Sequence, residues 1–232
     1  MNLRRALLPL LALLVAGFFL KLGFWQLQRL EWKEQLLADI TRAVEGKAAP
    51  FDLLAAAARF SADPGADYLP VTVSGRVAGP VQYLYAVVDG KPGWSMVARL
   101  ETADGPSVLV DFGAIPAEMR GTARLPEGPV EIRGFARRPL LTGGWFAPQS
   151  KPEKYEFFWR DVPAMAAGAD VVAFLVERAP QAGEAGYPRA GLPDPSAIPN
   201  NHLGYALTWF ALAGLLPLLA VTFLLTGRKS ST

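Results

Sequence analysis

The sequence contains no cysteine and only one histidine, His202, among its 232 residues. Without cysteine the chain forms no disulfide, no thiolate metal site and no cysteine nucleophile. One histidine and four methionines are also too few for a copper or zinc carrier, which needs several imidazole or sulfur ligands. Any imidazole chemistry must therefore come from His202.

Charge is scarce as well. Charged residues make up 19% of the chain, the formal net charge is +2, and no long basic run occurs, so the sequence does not support nucleic-acid binding. Hydrophobic residues make up 51%, and the mean hydropathy of +0.21 is high for a soluble protein. This composition predicts membrane-spanning segments.

Two segments are apolar over the roughly 20 residues that a membrane-spanning helix requires: 6–25, interrupted only by Lys21, and 202–226. The first segment also has the basic start of a signal peptide, but its apolar run continues beyond the cleavage-like sequence VAG. Basic pairs flank the spans, at residues 4–5 and 228–229, and they predict that both termini are cytoplasmic.

These signals predict five regions along the chain. They are a cytoplasmic N-terminus (1–5), a first transmembrane helix (6–25), an extracytoplasmic domain that begins with a helical extension (26–201), a second transmembrane helix (202–226) and a cytoplasmic C-terminus (227–232). No Arg/Ser-rich transit sequence precedes the first span, which favours a bacterial inner-membrane protein with its main domain in the periplasm.

The region between the spans begins and ends with helical patterns. Apolar residues at helical spacing extend the first helix to about Val44, and a short helix is expected after Pro50. Near the other end, Asp161 is a candidate N-cap of a short helix with Pro163 in its first turn. The following stretch VVAFLVERA predicts a buried strand.

Residues 68–137 consist of short runs of β-branched and aromatic residues that predict separate strands, the first two at 68–78 and 81–88. The dipeptides at 89–90, 104–105 and 127–128 separate several of these runs, as in antiparallel strands joined by hairpins. The predicted fold class is therefore an α+β membrane protein, with two transmembrane helices flanking a β-rich, antiparallel extracytoplasmic domain.

The start of the second span, PNNHLGYALTWF, carries the strongest candidate site. Asn200 or Asn201 is a candidate helix N-cap. His202 then lies at the positive end of the helix dipole, which disfavours imidazolium, and neutral imidazole is the form that binds metals. His202, Tyr205 and Trp209 share a helix face that suits a flat hydrophobic ligand. The alternative is that these residues are only interface anchors and a solvated histidine.

A second candidate stretch, LGFWQLQRLEWK, lies at the outer end of the first span. Gln26, Arg29 and Lys33 recur at helical spacing, and Trp25 and Gln26 are expected at about the depth of His202. Arg29 is a candidate partner for an anionic group such as a propionate. The alternative is that Trp25 is an interface anchor and Arg29 a solvated flank.

A third stretch, residues 143–161, is rich in aromatic residues that are expected to close the domain core. Trp159 and Asp161 are interpreted as structural. No spacing in the sequence marks a nucleophile–base pair or a pair of catalytic carboxylates, so the chain is not expected to be an enzyme.

The two ends of the chain resemble the Surfeit-locus-one (Surf-one, Shy-type) family of cytochrome c oxidase assembly factors. The family pattern L-G-x-W-Q-x-x-R-x-x-x-K is matched by Leu22, Gly23, Trp25, Gln26, Arg29 and Lys33. The pattern N-N-H-x-x-Y-A-x-T-W-F is matched by Asn200, Asn201, His202, Tyr205, Ala206, Thr208, Trp209 and Phe210. The middle departs from the family, because VDFGAIP at 110–116 stands where V-N-R-G-W-V-P is common.

The resemblance implies a role in the assembly of a haem-copper terminal oxidase, as a chaperone that holds haem a at the outer membrane interface. It implies His202 as an axial iron ligand. The expected cofactor contacts are His202, Tyr205, Trp209, Trp25, Gln26 and Arg29. The expected partners are the catalytic oxidase subunit, haem a synthase and the lipid bilayer. A cofactor-free scaffold for an assembly intermediate is the main alternative, and a membrane-tethered enzyme is a weaker one.

Overall fold

The computed structural model describes residues 3–103, 105–140 and 148–229. The chain divides into two compact units. One comprises Met1–Leu37 and Ser196–Thr232, and the other comprises Ala38–Pro195. The predicted arrangement along the chain, in which two long apolar helices flank a β-rich domain, is confirmed.

Two helices form the first unit. Helix α1 covers Leu3–Val44 as one continuous helix of 42 residues, and α4 covers His202–Lys229. Both are long and apolar enough to cross a membrane. Helix α1 is longer than one span requires and ends at Val44, as the helical pattern predicted.

The two helices of this unit bury small residues and expose large ones. Among the described residues of this unit, which includes α1 only as far as Leu37, the buried positions are alanines and a glycine, namely Ala16, Gly23, Ala206, Ala213 and Ala220. Most of the leucines of both helices are exposed, as expected for faces that contact lipid chains. Small residues let membrane helices approach closely where water provides no hydrophobic driving force.

The second unit contains, within the described residues, six strands and two short α-helices. The strands are β1 (Leu69–Val88), β2 (Lys91–Glu101), β3 (Ser107–Pro116), β4 (Pro129–Arg137), β5 (Glu156–Phe157) and β6 (Val171–Arg178). The helices are α2 (Leu53–Ala62) and α3 (Val162–Ala166). Asp52 caps α2, which the sequence analysis did not predict. Asp161 caps α3 as predicted, and its carboxylate accepts the Ala164 N–H at 3.1 Å.

Five of the strands close into a small barrel. The first half of β1 pairs with β4 and its second half pairs with β2. Pairings β2–β3, β3–β6 and β6–β4 complete the ring. Within the β1–β2 pairing the register shifts between Ala78 and Gln82, around Gly79 and Pro80. An irregularity of this kind bends the strand and increases its local twist.

The predicted hairpins are confirmed only in part. Asp89 and Gly90 both have positive φ and join β1 to β2 in a tight antiparallel turn. The separate strands predicted at 68–78 and 81–88 are one bent strand. Glu127 and Gly128 do not form a hairpin, because β4 pairs with β1 and β6 rather than with β3. Asp104, in the second predicted turn, lies outside the described residues.

The sheet is mixed rather than wholly antiparallel. Strands β3 and β6 pair in parallel, as do β1 and the short β5, while the other pairings are antiparallel. The main core fills the space between the barrel and α2, where Phe112 and Phe174 are almost completely buried.

The third aromatic stretch contributes to the same domain. Phe157 and Met165 form a smaller core beneath α3. Of the aromatic residues predicted to close the core, Trp145 and Phe146 lie outside the described residues.

Candidate functional site

The candidate site lies where α4 begins. The first helical residue is His202, and the main-chain oxygen of Asn201 accepts the Tyr205 N–H at 3.2 Å. The predicted side-chain cap is not formed by Asn200, because its Oδ1 is buried without a hydrogen-bond partner. The main chain of Asn201 starts the helix instead. A buried amide oxygen is thus left unpaired two residues before the histidine.

Gln26 of α1 and His202 of α4 form a hydrogen bond across the helical hairpin. The distance from His202 Nδ1 to Gln26 Oε1 is 2.7 Å, and both side chains are half-buried. An amide oxygen only accepts hydrogen bonds, so Nδ1 carries the hydrogen. In this tautomer the other ring nitrogen, Nε2, keeps its lone pair for a ligand or a metal.

Close packing one turn deeper holds the two helices at this distance. A Cβ atom at Gly23 would lie 2.4 Å from a ring carbon of Phe210, so the ring occupies the space of the missing side chain. Phe24 contacts the same ring edge-on, with centroids 5.3 Å apart. Trp209 packs against Phe19, also at 5.3 Å. These contacts place the Gln26 and His202 backbones within reach of one hydrogen bond.

The other aromatic candidates lie on exposed faces of the hairpin. Tyr205 is 57% exposed and Trp25 is 49% exposed. Ala206, one turn from His202, is completely buried, so the helix seam runs through His202, Ala206 and Trp209 rather than through Tyr205. Trp25 and Tyr205 therefore present apolar surface near the histidine without contributing to helix packing.

Two cations follow on α1. The Arg29 guanidinium lies 4.1 Å from the centroid of the Trp32 ring, and the Lys33 ammonium lies 5.9 Å from it. Within the described residues, no ion pair joins either side chain to a carboxylate. Since Arg29 is three residues from Gln26, its positive charge is about one turn beyond the hydrogen bond.

The donor set restricts the kind of metal that the site suits. In the described part of the chain, no group of three His, Cys, Asp or Glu side chains could hold a metal ion. A metal bound by His202 must therefore bring most of its ligands with it, as the iron of a porphyrin does. The residues present fit such a group: one nitrogen with a lone pair, exposed aromatic surface and cations without an acidic partner.

Sequence reasoning named His202, Tyr205, Trp209, Trp25, Gln26 and Arg29, and the hairpin brings Gln26 and His202 into direct contact. It missed Phe210 as the residue that sets the helix spacing. The signal was a glycine on the inner face of an apolar helix, which often marks close helix packing.

Comparison with known proteins gives a consistent result over most of the chain. The SURF1 family matches residues 13–214. A SURF1-like protein of Monosiga brevicollis is 26% identical over 217 residues, covering 84% of this chain and 78% of the relative. Surfeit locus protein 1 of Mus musculus is 27% identical over 232 residues, covering 86% and 70%, and that of Homo sapiens is 26% identical over 219 residues, covering 83% and 69%. The chain therefore belongs to the SURF1 family of cytochrome c oxidase assembly factors.

Proposed function

We propose that this assembly factor binds haem a through His202 Nε2 and aids its delivery to the catalytic subunit of a haem-copper oxidase. The observation that carries the proposal is the hydrogen bond from Nδ1 to Gln26 Oε1, which leaves Nε2 as the nitrogen with a lone pair. Haem iron accepts a histidine nitrogen as an axial ligand. The oxidase-assembly role itself comes from the family.

Gln26 acts as the partner that orients the ligand. Metal-binding histidines in proteins usually donate their second ring N–H to an oxygen acceptor, which fixes the tautomer and the ring orientation. Gln26 provides such an acceptor from the opposite helix. The amide is neutral, so it orients the ring without placing a formal negative charge beside it.

The surroundings of His202 suit the rest of the macrocycle. Trp25 and Tyr205 offer exposed aromatic surface to its apolar part. Arg29 and Lys33 are suited to pair with propionates, since charge-assisted bonds from arginine to carboxylates are strong. Among the described residues of the site no nucleophile lies beside a base, so we expect binding and release of a group without catalytic turnover.

A cofactor-free scaffold is the second candidate function. Exposed leucines cover much of α1 from Leu7 to Leu20 and of α4 from Leu203 to Leu219. An apolar groove lined by Leu11, Val15, Leu216 and Phe223 lies between the two helices. Another transmembrane helix of an oxidase subunit would fit such a surface. Both functions require the hairpin, but only haem binding depends on His202 Nε2.

An absorption spectrum of the purified protein separates the two functions. The protein is isolated from cells that make haem a, with haem normalised to protein, beside His202→Ala, Gln26→Leu and the control Gln28→Leu. Gln28 is an exposed neighbour on the same helix. We expect a Soret band in the parent and in Gln28→Leu, its loss in His202→Ala and a several-fold reduction in Gln26→Leu. Haem content that does not change in His202→Ala would overturn the proposed ligand, and haem in none of the proteins would favour the scaffold.

The membrane orientation and the bacterial inner-membrane location remain proposals. The absence of cysteine makes the orientation simple to test, because a single introduced thiol is the only one in the chain. Glu131→Cys in the β domain should react with a membrane-impermeant maleimide in intact cells, whereas Ser231→Cys should react only after lysis. The reverse labelling pattern would contradict cytoplasmic termini.

A further inference from the structure

The β domain contains a polar cavity that the haem site does not use. Its volume is about 430 Å³, within the range of sites for small ligands. Charged groups from several strands and from the segment after β6 line it. The charged lining residues are Asp89, Asp111, Arg137, Glu177, Arg178 and Arg189.

Asp111 presents one carboxylate oxygen to this cavity. Its Oδ1 accepts two hydrogen bonds, from the Ser95 hydroxyl at 2.8 Å and from the Gly113 N–H at 2.9 Å. Among the described residues no donor faces Oδ2, and Oδ2 is not one of the buried unpartnered atoms. One oxygen is therefore held by the protein while the other is accessible from the cavity.

The three arginines of the lining already have acidic partners. Arg137 donates to Glu177 at 2.6 Å and to Asp67 at 3.2 Å. Arg178 holds Glu184 with two hydrogen bonds, at 2.6 and 2.8 Å. Carboxylates of the protein already compensate the charges of these arginines. A phosphate or carboxylate ligand is therefore not expected in the cavity.

The rim of the cavity is paired in the same way. Arg189 pairs with Asp89 at 3.1 Å, and Glu177 has Arg160 as a second partner at 3.2 Å. Of the described carboxylates that line the cavity, Asp111 alone has no cationic partner. Burial and the nearby charge of Glu177 raise the pKa of Asp111 to about 6. An ionised Asp111 thus leaves one uncompensated negative charge in the cavity.

The wall of the cavity is preorganised by unusual backbone geometry. Tyr68 has φ of 55°, rare for a bulky residue, and its ring lies 3.5 Å from the guanidinium carbon of Arg137. Gly113 has φ of 119°, and a Cβ atom there would lie 2.5 Å from the Arg189 main chain. Positions of this kind persist only where the surrounding structure enforces them.

We propose that this cavity binds an organic cation, an alkylammonium or a guanidinium, whose charged head pairs with Asp111. A bare metal ion fits poorly, because the described residues include no cluster of three suitable ligands. Val87, which is 64% exposed, and Leu192 provide apolar contacts for the carbon chain of such a ligand at the rim. The same chemistry is found in a free amine and in a lysine or arginine side chain of a partner protein.

Calorimetry on the full-length protein in detergent tests this site. The probes are n-butylguanidinium, the neutral n-butanol at the same concentration, and a capped tripeptide with a central arginine, all at constant ionic strength. The variant is Asp111→Asn, in which the side-chain oxygen still accepts from Ser95 and Gly113. The control is Glu131→Gln, which removes an exposed carboxylate whose partner is Arg133.

We expect both cations to bind the parent and the control, and Asp111→Asn to lose at least ten-fold in affinity, while n-butanol does not bind. Binding of n-butylguanidinium alone would point to a free small molecule, and tighter binding of the tripeptide to a protein side chain. Equal affinity in Asp111→Asn, equal binding of n-butanol, or no binding of either cation would overturn the proposal.

A pH series on the parent protein provides a test that does not depend on the folding of the variant. The groups around Asp111 that take part in its titration are Ser95, Gly113, Glu177 and Arg160. With a pKa of about 6, Asp111 is mostly ionised at pH 7.5 and about one-tenth ionised at pH 5, so affinity should fall about ten-fold. Affinity that is independent of pH in this range would contradict a pairing with Asp111.

Discussion

The helical hairpin and the β domain each contain a side chain with two polar atoms, only one of which is hydrogen-bonded to the protein. In the hairpin, Gln26 accepts from Nδ1 of His202 and leaves Nε2 available. In the β domain, Ser95 and Gly113 donate to one oxygen of Asp111 and leave the other oxygen accessible. The first group suits a metal and the second suits a cation, because a neutral ring nitrogen donates a lone pair while a carboxylate brings negative charge.

The two regions differ in what holds the group in place. In the hairpin, one glycine–aromatic contact between two helices sets the spacing. In the barrel, strands and loops distant in sequence provide the partners, such as Asp67 and Glu177 for Arg137. One added side chain at the helix contact should therefore disrupt the hairpin site. The stability of the cavity region should depend mainly on backbone strain and on charge.

The largest effect is expected for Gly23→Leu. The new side chain must displace the Phe210 ring, which separates α1 from α4 and removes the hydrogen bond between Gln26 and His202. We expect haem content to fall at least ten-fold. The near-UV circular dichroism of the aromatic residues in the β domain should not change. Gly17→Leu is the matched control, because a Cβ atom at Gly17 meets nothing within 4 Å. Equal haem in both variants would show that helix spacing does not govern the site.

A large loss of stability is expected for Gly113→Val. The position combines positive φ with close contacts to the Arg189 and Ala190 main chain, so the free energy of unfolding should fall by about 3 kcal/mol or more. Gly183→Val shares the positive φ but faces open space, and should cost only about 1–2 kcal/mol. Urea unfolding at neutral pH measures both, and similar losses would mean that the contact with Arg189 is unimportant.

A gain of stability is expected for Asp111→Asn at neutral pH. The pKa of Asp111 is about 6 in the folded protein, against 3.8 for an aspartate in an unfolded chain, so between these pH values the folded state binds more protons. The parent therefore loses stability as pH rises through this window, by up to about 3 kcal/mol. The variant should match the parent below pH 4 and exceed it at pH 7.5. Thermal unfolding across this range measures the difference, and a constant difference would contradict the raised pKa.

The smallest effect is expected for Arg29→Gln. Removing one partly exposed cation from the proposed haem site should reduce haem retention about two- to five-fold, and less at high salt, because solvent screens such pairs. Arg42→Gln on the same helix is the control, since Arg42 pairs with Asp39 and lies far along α1 from Gln26. Washing with increasing salt and measuring the haem that remains distinguishes the variants. Equal loss from both would remove Arg29 from the site.

Much of the local structure could be predicted from the sequence, because it depends on neighbouring residues. The extent of α1, the caps at Asp52 and Asp161 and the turn at Asp89 and Gly90 follow from spacing and from the conformational preferences of single residues. The barrel could not be predicted in the same way. Its closure depends on the bend in β1 and on the parallel pairing of β3 with β6, which no local pattern encodes.

The candidate sites show the same division. His202 and Gln26 could be selected from the sequence, because a lone histidine and a glutamine at apolar helix ends are conspicuous. Asp111 was not selected, although an acid inside the apolar run of β3 was a usable signal. Its partner Ser95 comes from β2, and the missing counter-charge depends on pairings made by arginines of β4, of β6 and of the segment after β6.

The sequence by itself determined the two apolar helices, the polar residues that stand at their ends and the β-rich character of the domain between them. These features follow from hydrophobic periodicity and from residue preferences, which act over a few positions. Only the tertiary structure decided which nitrogen of His202 stays available, because that depends on Gln26 reaching it from 176 residues away. The tertiary structure likewise decided that Asp111 lacks a cation, since pairing of charges depends on distance in space rather than along the chain.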